Sequence, residues 1–526
     1  MSKQEILEFC SKEGLLLDNG LIESFLKISS LNLIKDFLKK ITSLGKKKFI
    51  SIPLICSLKN PLKFYYTSLS EKDKIQLKIF FEEFSLFNDE LMEEPVLDEI
   101  SELSSSVKVL SSYSTLGKSL EVKDFVNFFR DRYKVYKNLL QENSTLENLS
   151  AINKIPYEKQ KCSIIGMVFS KKQTKNGNLM FEVEDLTGKI KIVLSKDGKE
   201  ELFKKAEEIP LDCVLGFKGF GNGEILFAND IIFPEAQLGF SRKKSNVEEY
   251  ALFIGDIHYG SKNFLKADFL KFIDYLNGNF PDTPEVKKIK YLFLVGDLVT
   301  GVGNYPNQEL DLEIKDLEQQ FQSFAEILSK IRKDIKIIIS PGNHDGVRLM
   351  EPQPFLNEKF AWPLYELENV IITENPARVK IGSNDSFEGF EVLTYHGFSY
   401  TYYANNVPRL MMMKAMNSPE RIMKYLLTYR HLAPEHGSVQ YFPFGKDAHF
   451  INKIPDIFVS GHTHKSGVTY FNDILIVSVS SWEGMTPYQE KFGNKPDHCK
   501  VPMINLKTRA VRILDFEIKK ERENEN

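Results

Sequence analysis

The chain has 526 residues and a formal net charge of -3, with Lys+Arg 69 nearly balancing Asp+Glu 72, which leaves no long-range field to draw the whole molecule onto nucleic acid. A composition of 42% hydrophobic and 27% charged residues excludes global disorder and, at roughly 150 residues per domain, predicts about three or four folding units. No apolar run reaches the ~18 residues of a membrane-spanning helix, and Met1 to Cys10 lacks the basic-then-apolar pattern of a signal peptide, so the expected location is cytoplasmic with no membrane partner.

In chain order, residues 1–70 read as a small helical domain. Leu21, Ile22, Phe25, Leu26, Ile28, Leu31, Ile34, Phe37, Leu38 and Ile41 recur mostly at helical spacing, and Asn19-Gly20 and Ser29-Ser30 mark breaks. Residues 71–120, acidic and then Ser-rich, read as a flexible linker. Residues 121–240 form the next unit. It opens with a helix carrying Phe125, Phe129, Tyr133, Tyr136 and Leu140 in one stripe, with Asp124 near its start as a cap.

The period then changes to two. Ile165, Met167 and Phe169 alternate, Asn176-Gly177 turns the chain, and Leu179, Phe181 and Val183 alternate again. Strands at Ile190–Leu194, Val214–Lys218 and Ile225–Phe227 follow, with a helix over Glu201–Glu208. Three strands, a helix and two strands match a five-stranded OB-fold β-barrel. Lys171, Lys172, Lys175, Lys189 and Lys191 would suit a single strand, and a solvated face or a protein-docking platform fits them equally.

From 245 to 515 apolar strands end in polar motifs and alternate with amphipathic helices: Tyr250–Ile254, Tyr291–Val295 and Ile335–Ile339 as strands, Phe264–Leu276 and Leu310–Ile331 as helices. Such an α/β domain places its site at the strand C-termini. Residues 516–526 read as a polar tail. The five cysteines are scattered and never spaced Cys-x-x-Cys, so neither a disulfide framework nor a zinc ribbon is indicated. All nine histidines lie between His258 and His498.

Five short motifs follow in order: Asp256-x-His258, Gly296-Asp297, Gly342-Asn343-His344-Asp345, His396-Gly397 and Gly461-His462-Thr463-His464. Each carries an oxygen or imidazole donor beside glycine or at a strand end. Carboxylate, imidazole and amide without thiolate suit Mn, Fe or Zn and disfavour an all-oxygen cage. Two divalent ions are expected, manganese first among them, because a phosphate ester needs both charge neutralisation and an activated water.

The order of these motifs resembles the calcineurin-like metallophosphoesterase superfamily over about residues 250–510. The resemblance implies a two-sheet α/β sandwich in which Asp256, His258 and His464 hold one metal, Asn343, His396 and His462 hold the other, and Asp297 bridges them. It further implies that His344 stands beside the scissile phosphate and that Asp345 orients it. The Gly296-Asp297-Leu298 and Asn343-His344-Asp345 forms disfavour a protein phosphatase.

The order of helical domain, linker, OB barrel and phosphoesterase, with Pro341–Pro354, Arg430–Pro434, Pro455–Ile457 and Ser481–Gln489, is similar to the small subunits of archaeal family-D DNA polymerases. That resemblance implies a 3′-5′ proofreading exonuclease docked on a large catalytic subunit and acting on a single-stranded or frayed 3′ end. A catalytically silent scaffold and a stand-alone repair nuclease remain alternatives, and a sliding-clamp contact is left open. Trp482 and Tyr488 are candidates for stacking an unpaired base or for core packing, and Arg348 for a DNA backbone contact or a plain surface charge.

Overall fold

A computed structural model describes residues 3–50 apart from 27, 29 and 46–48, residues 55 and 77, and from 107 onward all but 112, 114–118, 236–242, 444–446, 487–488, 491–494 and 519–526. The chain forms two units, Met1–Glu102 and Leu103–Asn526. In the first, α1 (Lys3–Glu13), α2 (Asn19–Phe25) and α3 (Leu31–Gly45) accompany the two-residue strands β1 (Leu16–Leu17) and β2 (Phe49–Ile50). Its own core gathers Ile6, Leu21, Phe25, Phe37 and Leu38, the apolar stripe the sequence displays; Leu26, assigned to the same stripe, is exposed.

Most of the stretch read as a linker lies outside the described residues. Within it, β3 (Val107–Val109) adds an edge strand to a sheet of the second unit, its Val107 pairing with Ile381. Alternation over three residues is too short a signal to separate from a linker.

The second unit continues with α4 (Val122–Gln141), where the Asp124 carboxylate accepts from the Glu121 amide at 2.9 Å and closes the first turn. A closed barrel follows: β4 (Gln160–Gln173), β5 (Leu179–Glu184), β6 (Lys189–Leu194), α5 (Glu200–Glu207), β7 (Val214–Gly221) and β8 (Ile225–Ile232), ordered β4-β5-β6-β8-β7. Ile165 and Met167 point outward and are buried by Tyr133, Tyr136 and Leu140 of α4, while Ile164 and Val168 fill the interior. Phe169, on the same outward face, falls at a register shift between Val168 and Ser170 and is exposed, outside the cluster that Ile165 and Met167 form with α4.

The remainder is a two-sheet sandwich flanked by helices. Its elements are β9 (Tyr250–Ile254), α6 (Lys266–Leu276), β10 (Ile289–Val295), α7 (Leu317–Leu328), β11 (Lys336–Ser340), α8 (Glu358–Tyr365), β12 (Val370–Ile372), β13 (Ala377–Ile381), β14 (Phe390–Tyr395), α9 (Tyr400–Asn406), α10 (Pro408–Met412), α11 (Glu420–Tyr429), β15 (Ile457–Ser460), β16 (Gly467–Phe471), β17 (Ile474–Ser478), β18 (Lys500–Asn505) and β19 (Val511–Asp515). One six-stranded sheet runs β12-β11-β10-β9-β18-β19 and the other β16-β17-β15-β14-β13-β3.

Between the sheets Phe253, Phe293, Val392, Ile457 and Val477 form one layer. Leu252, Leu292 and Ile337 on the opposite face of the first sheet meet Phe269, Phe272, Phe321 and Phe324 from α6 and α7. Strands buried on both faces read as continuous apolar runs, which is why β9, β10 and β11 are recognisable in the sequence. The predicted helix over Leu310–Ile331 is shorter: Asp316 accepts from the Gln319 amide at 2.9 Å, so α7 starts at Leu317 and the residues before it line a loop. No helix of the described residues is long and apolar enough to cross a membrane.

Candidate metal centre

All five motifs sit at the C-terminal ends of strands, three on the first sheet (β9, β10, β11) and two on the second (β14, β15). The turns that leave these strands are tight. Asp256, His258, Asp297, His462 and His464 all have positive φ between 48° and 70°, a conformation costly for residues bearing a Cβ and found where function over-determines the backbone. Gly296 has φ +79°, and a Cβ there would clash with His396, so glycine allows the two sheets to approach at this point.

The donors converge. Single ligand atoms of Asp256, His258 and His464, of His258, Asp297 and His344, and of Asp297, His396 and His462 lie within 4.8 Å of one another in each group. His258 Nε2 is 3.1 Å from His464 Nε2, and Asp256 accepts from the His462 amide at 3.0 Å through both carboxylate oxygens.

His396 carries the test of whether these residues fit a cation. Its Nδ1 faces the carbonyl of Val295 at 3.0 Å, so Nδ1 holds the proton and donates it. Nε2 is then directed at Asn343 Oδ1, 3.1 Å away, and at Asp297 Oδ2, 3.2 Å away. Three such atoms meeting in a buried space call for a positive charge among them, either a proton on Nε2 or a metal ion that displaces it.

The electrostatics agree. Burial disfavours a charged His396 ring, but the Asp297 and Asp256 carboxylates outweigh it and push the pKa up to about 10. Burial, with His396 nearby, lowers His462 to about 3, and burial takes His464 to about 4 despite Asp297. His258 is likewise held well below its ordinary value by burial and His344. The neutral imidazoles of His258, His462 and His464 offer lone pairs to an ion near neutral pH, the pull of the carboxylates on His396 marks where positive charge is favoured, and this donor set fits divalent cations.

His344 donates from Nδ1 to the Thr300 carbonyl at 2.9 Å, with Asn304 Nδ2 3.1 Å from the same nitrogen, so its Nε2 is left for the cleft. The expected pairing with Asp345 is not what the structure has. Asp345 accepts from the backbone amides of Leu298 (2.8 Å), Val299 (3.1 Å) and Gly342 (2.7 Å), which occupy its oxygens and tie the second motif to the third. Burial and the neighbouring Asp297 raise its pKa to about 6.

Two of the three DNA-contact candidates, Trp482 and Arg348, are not brought to the cleft. Trp482 is fully buried, its ring 5.0 Å from Phe269 and 5.4 Å from Phe272, because the chain after β17 turns under α6. Arg348 donates to the carbonyls of Met350 and Pro352 and lies 4.4 Å over the Phe442 ring, folded onto its own loop. Tyr488 lies outside the described residues. In the barrel, Lys171 donates to the carbonyls of Glu207 and Ile209 and Lys189 pairs with Glu184.

Sequence reasoning missed Asn304, the carbonyl of Thr300, and Gln489, whose amide lies 2.9 Å from His464 Nδ1. It also missed Glu483, buried beside Ser261 with its carboxyl raised to about 7 by burial. Glu483 and Gln489 follow Trp482 within a few positions, and only their chain proximity to the fifth motif signals them.

Known proteins match two regions of this chain. Residues 251–469 match the family model for the B-type subunit of DNA polymerases alpha and epsilon, and residues 162–220 match that of an OB-fold nucleic acid binding domain. The DNA polymerase II small subunit of Methanothermobacter thermautotrophicus is 33% identical over 401 residues, covering 75% of this chain and 80% of the relative. The chain belongs to the DNA polymerase II small subunit family. The Pyrococcus furiosus member is 37% identical over 405 residues, covering 75% of this chain; the chain spans 64% of that relative's length, just under two thirds. Among solved structures, an archaeal phosphodiesterase is 12% identical, with TM-score 0.25, covering 50% of this chain and 98% of its own. Vacuolar Protein Sorting 29 from Cryptosporidium parvum is 16% identical, with TM-score 0.24, covering 51% and 97%.

Proposed function

We propose that this chain hydrolyses phosphodiester bonds at DNA 3′ ends as the proofreading small subunit of a replicative DNA polymerase. The observation that carries the reading is the convergence of His396 Nε2, Asn343 Oδ1 and Asp297 Oδ2, an arrangement that calls for a cation. In this reading Asp256, His258 and His464 would hold one divalent ion and Asn343, His396 and His462 the second, with Asp297 available to both. Such ions would supply neutralisation of the phosphate charge and a water of lowered pKa, with manganese favoured among Mn, Fe and Zn.

His344 supplies the proton step. With Nδ1 held by Thr300, its Nε2–H reaches the leaving O3′ as the bond to phosphorus breaks. Asp345 keeps the two loops that carry Asp297 and His344 in register through its three amide bonds. Family membership supports a large catalytic subunit as partner, and the barrel supports a single-stranded 3′ end as ligand.

The test is manganese-dependent release of nucleotides from a mismatched 3′ end by the full chain and by His344→Ala. General acid catalysis contributes about 10²- to 10⁴-fold, so the variant should lose at least about a hundredfold in rate while keeping its bound manganese. Indistinguishable traces for the two proteins would overturn the reading.

A further inference from the structure

Asn343 and His396 arrive at the centre from different sheets, Asn343 after β11 and His396 after β14. Their donor atoms are nevertheless 3.1 Å apart. Two amide side chains that take no part in the mechanism lie behind them. Gln353 is 3% exposed and Asn375, at the point where the chain passes from β12 of one sheet to β13 of the other, is 0% exposed.

The two residues exchange backbone hydrogen bonds, Gln353 N to Asn375 O at 2.7 Å and the reverse at 3.1 Å. Asn375 Nδ2 donates to Gln353 Oε1 at 2.6 Å. The outer ends of this pair reach the motifs: Gln353 Nε2 donates to the Gly342 carbonyl at 3.3 Å, and Asn375 Oδ1 accepts from the His396 amide at 2.8 Å. A continuous buried chain thus runs from the residue before Asn343, through two amides, to the backbone of His396.

We infer that Gln353 and Asn375 are positioning residues that clamp the third and fourth motifs across the two sheets and so set the geometry of the Asn343–His396–His462 ion. The inference rests on the two-ion reading above. A sheet-to-sheet displacement of a few tenths of an ångström separates Asn343 Oδ1 from His396 Nε2 directly, whereas the loop carrying His464 is held to Asp256 across the same two sheets by the His462 amide's bonds to the Asp256 carboxylate. Groups that orient ligands without touching the ion are worth about 10- to 100-fold in metal affinity.

The test is manganese titration of the full chain by calorimetry, with the electron paramagnetic resonance of the exchange-coupled ion pair as a second readout. In Asn375→Ala one ion should bind about tenfold or more weakly and the coupled-pair spectrum should fade, while the other ion binds as in the parent. Gln353→Leu, which leaves the bond from the His396 amide to Asn375 in place, should give a smaller loss at the same ion and serves if Asn375→Ala does not fold.

Asn369→Ala is the control for mere loss of a buried amide: Asn369 is 1% exposed and donates to the Ile335 carbonyl, near the start of β11 and away from the centre. It should lower the melting temperature with both ions unaffected. If Asn375→Ala and Gln353→Leu bind both ions like the parent, or weaken both no more selectively than Asn369→Ala, the clamp is overturned. If the parent takes up no pair of ions, the two-ion reading itself is overturned, which is a distinguishable failure.

Discussion

The side chain of Asp297 is where the two halves of the centre meet, since it belongs to the ligand-atom groups of His258 and of His396 alike. Replacing it should therefore cost more than replacing Asp256, which belongs to one group. Metal analysis after gel filtration in manganese should find less bound ion in Asp297→Ala than in Asp256→Ala; equal content in the Asp297 variant and the parent would contradict this. Trp482 belongs to the core, and Trp482→Ala should lower stability by about 3–5 kcal/mol, read by urea unfolding, with affinity for single-stranded DNA unchanged under native conditions. At this scale the sequence marks the candidate ligands, because they stand beside a glycine or just past the end of an apolar run. It does not show what holds His344. That acceptor is the carbonyl of Thr300, which no letter encodes, and the adjacent Asp345 is the natural wrong guess.

Helix α4 shows what a buried ionic contact does for an element. Arg132 donates from Nε to Asp447 at 2.8 Å and from NH1 to the Pro434 carbonyl at 2.7 Å, its side chain 3% exposed. Removing it leaves Asp447 as a buried carboxylate short of a partner, and breaking such a pair costs about 3–5 kcal/mol. Arg132→Ala should show that loss in urea unfolding. The same carboxylate accepts from His431 Nε2 at 2.9 Å, while His431 Nδ1 accepts from the Ala433 amide, so the ring is neutral.

Burial lowers the His431 pKa to about 4 despite Asp447. Between the ordinary value near 6.5 and 4 the unfolded chain binds the proton that the folded ring refuses, so stability rises with pH and is lost on acidification through that window. Unfolding free energy measured from pH 7 to pH 4 should fall less in His431→Asn than in the parent; identical slopes would contradict the assignment. The OB barrel is legible as alternation and turns, yet the bulge at Phe169 and the edge strand β3 are not, since both depend on a partner strand distant in sequence.

At the scale of the whole molecule, sequence reasoning identifies the sandwich through its motifs, but only the pairing order of the sheets explains why donors from Asp256 to His464 converge. The parallel strands β9, β10 and β11 of one sheet and β14 and β15 of the other all release their chains at the same edge. The unit Met1–Glu102 has its own core and, among the described residues, supplies none of the clustered donors. A chain beginning at residue 103 should therefore retain manganese binding and nucleotide release within about twofold of the full chain, the scale of context-dependent scatter between two otherwise intact sites; loss of both on truncation would show that the first unit completes the site.

The claim on which all of this depends is that two cations are held jointly by side chains of both sheets. Crystals of the full chain grown with manganese, measured on either side of the manganese absorption edge, test it directly. The account expects two anomalous peaks about 3.5–4 Å apart, both beside Asp297, one against Asp256, His258 and His464 and the other against Asn343, His396 and His462. A single peak, or manganese bound elsewhere with these side chains bare, would contradict it.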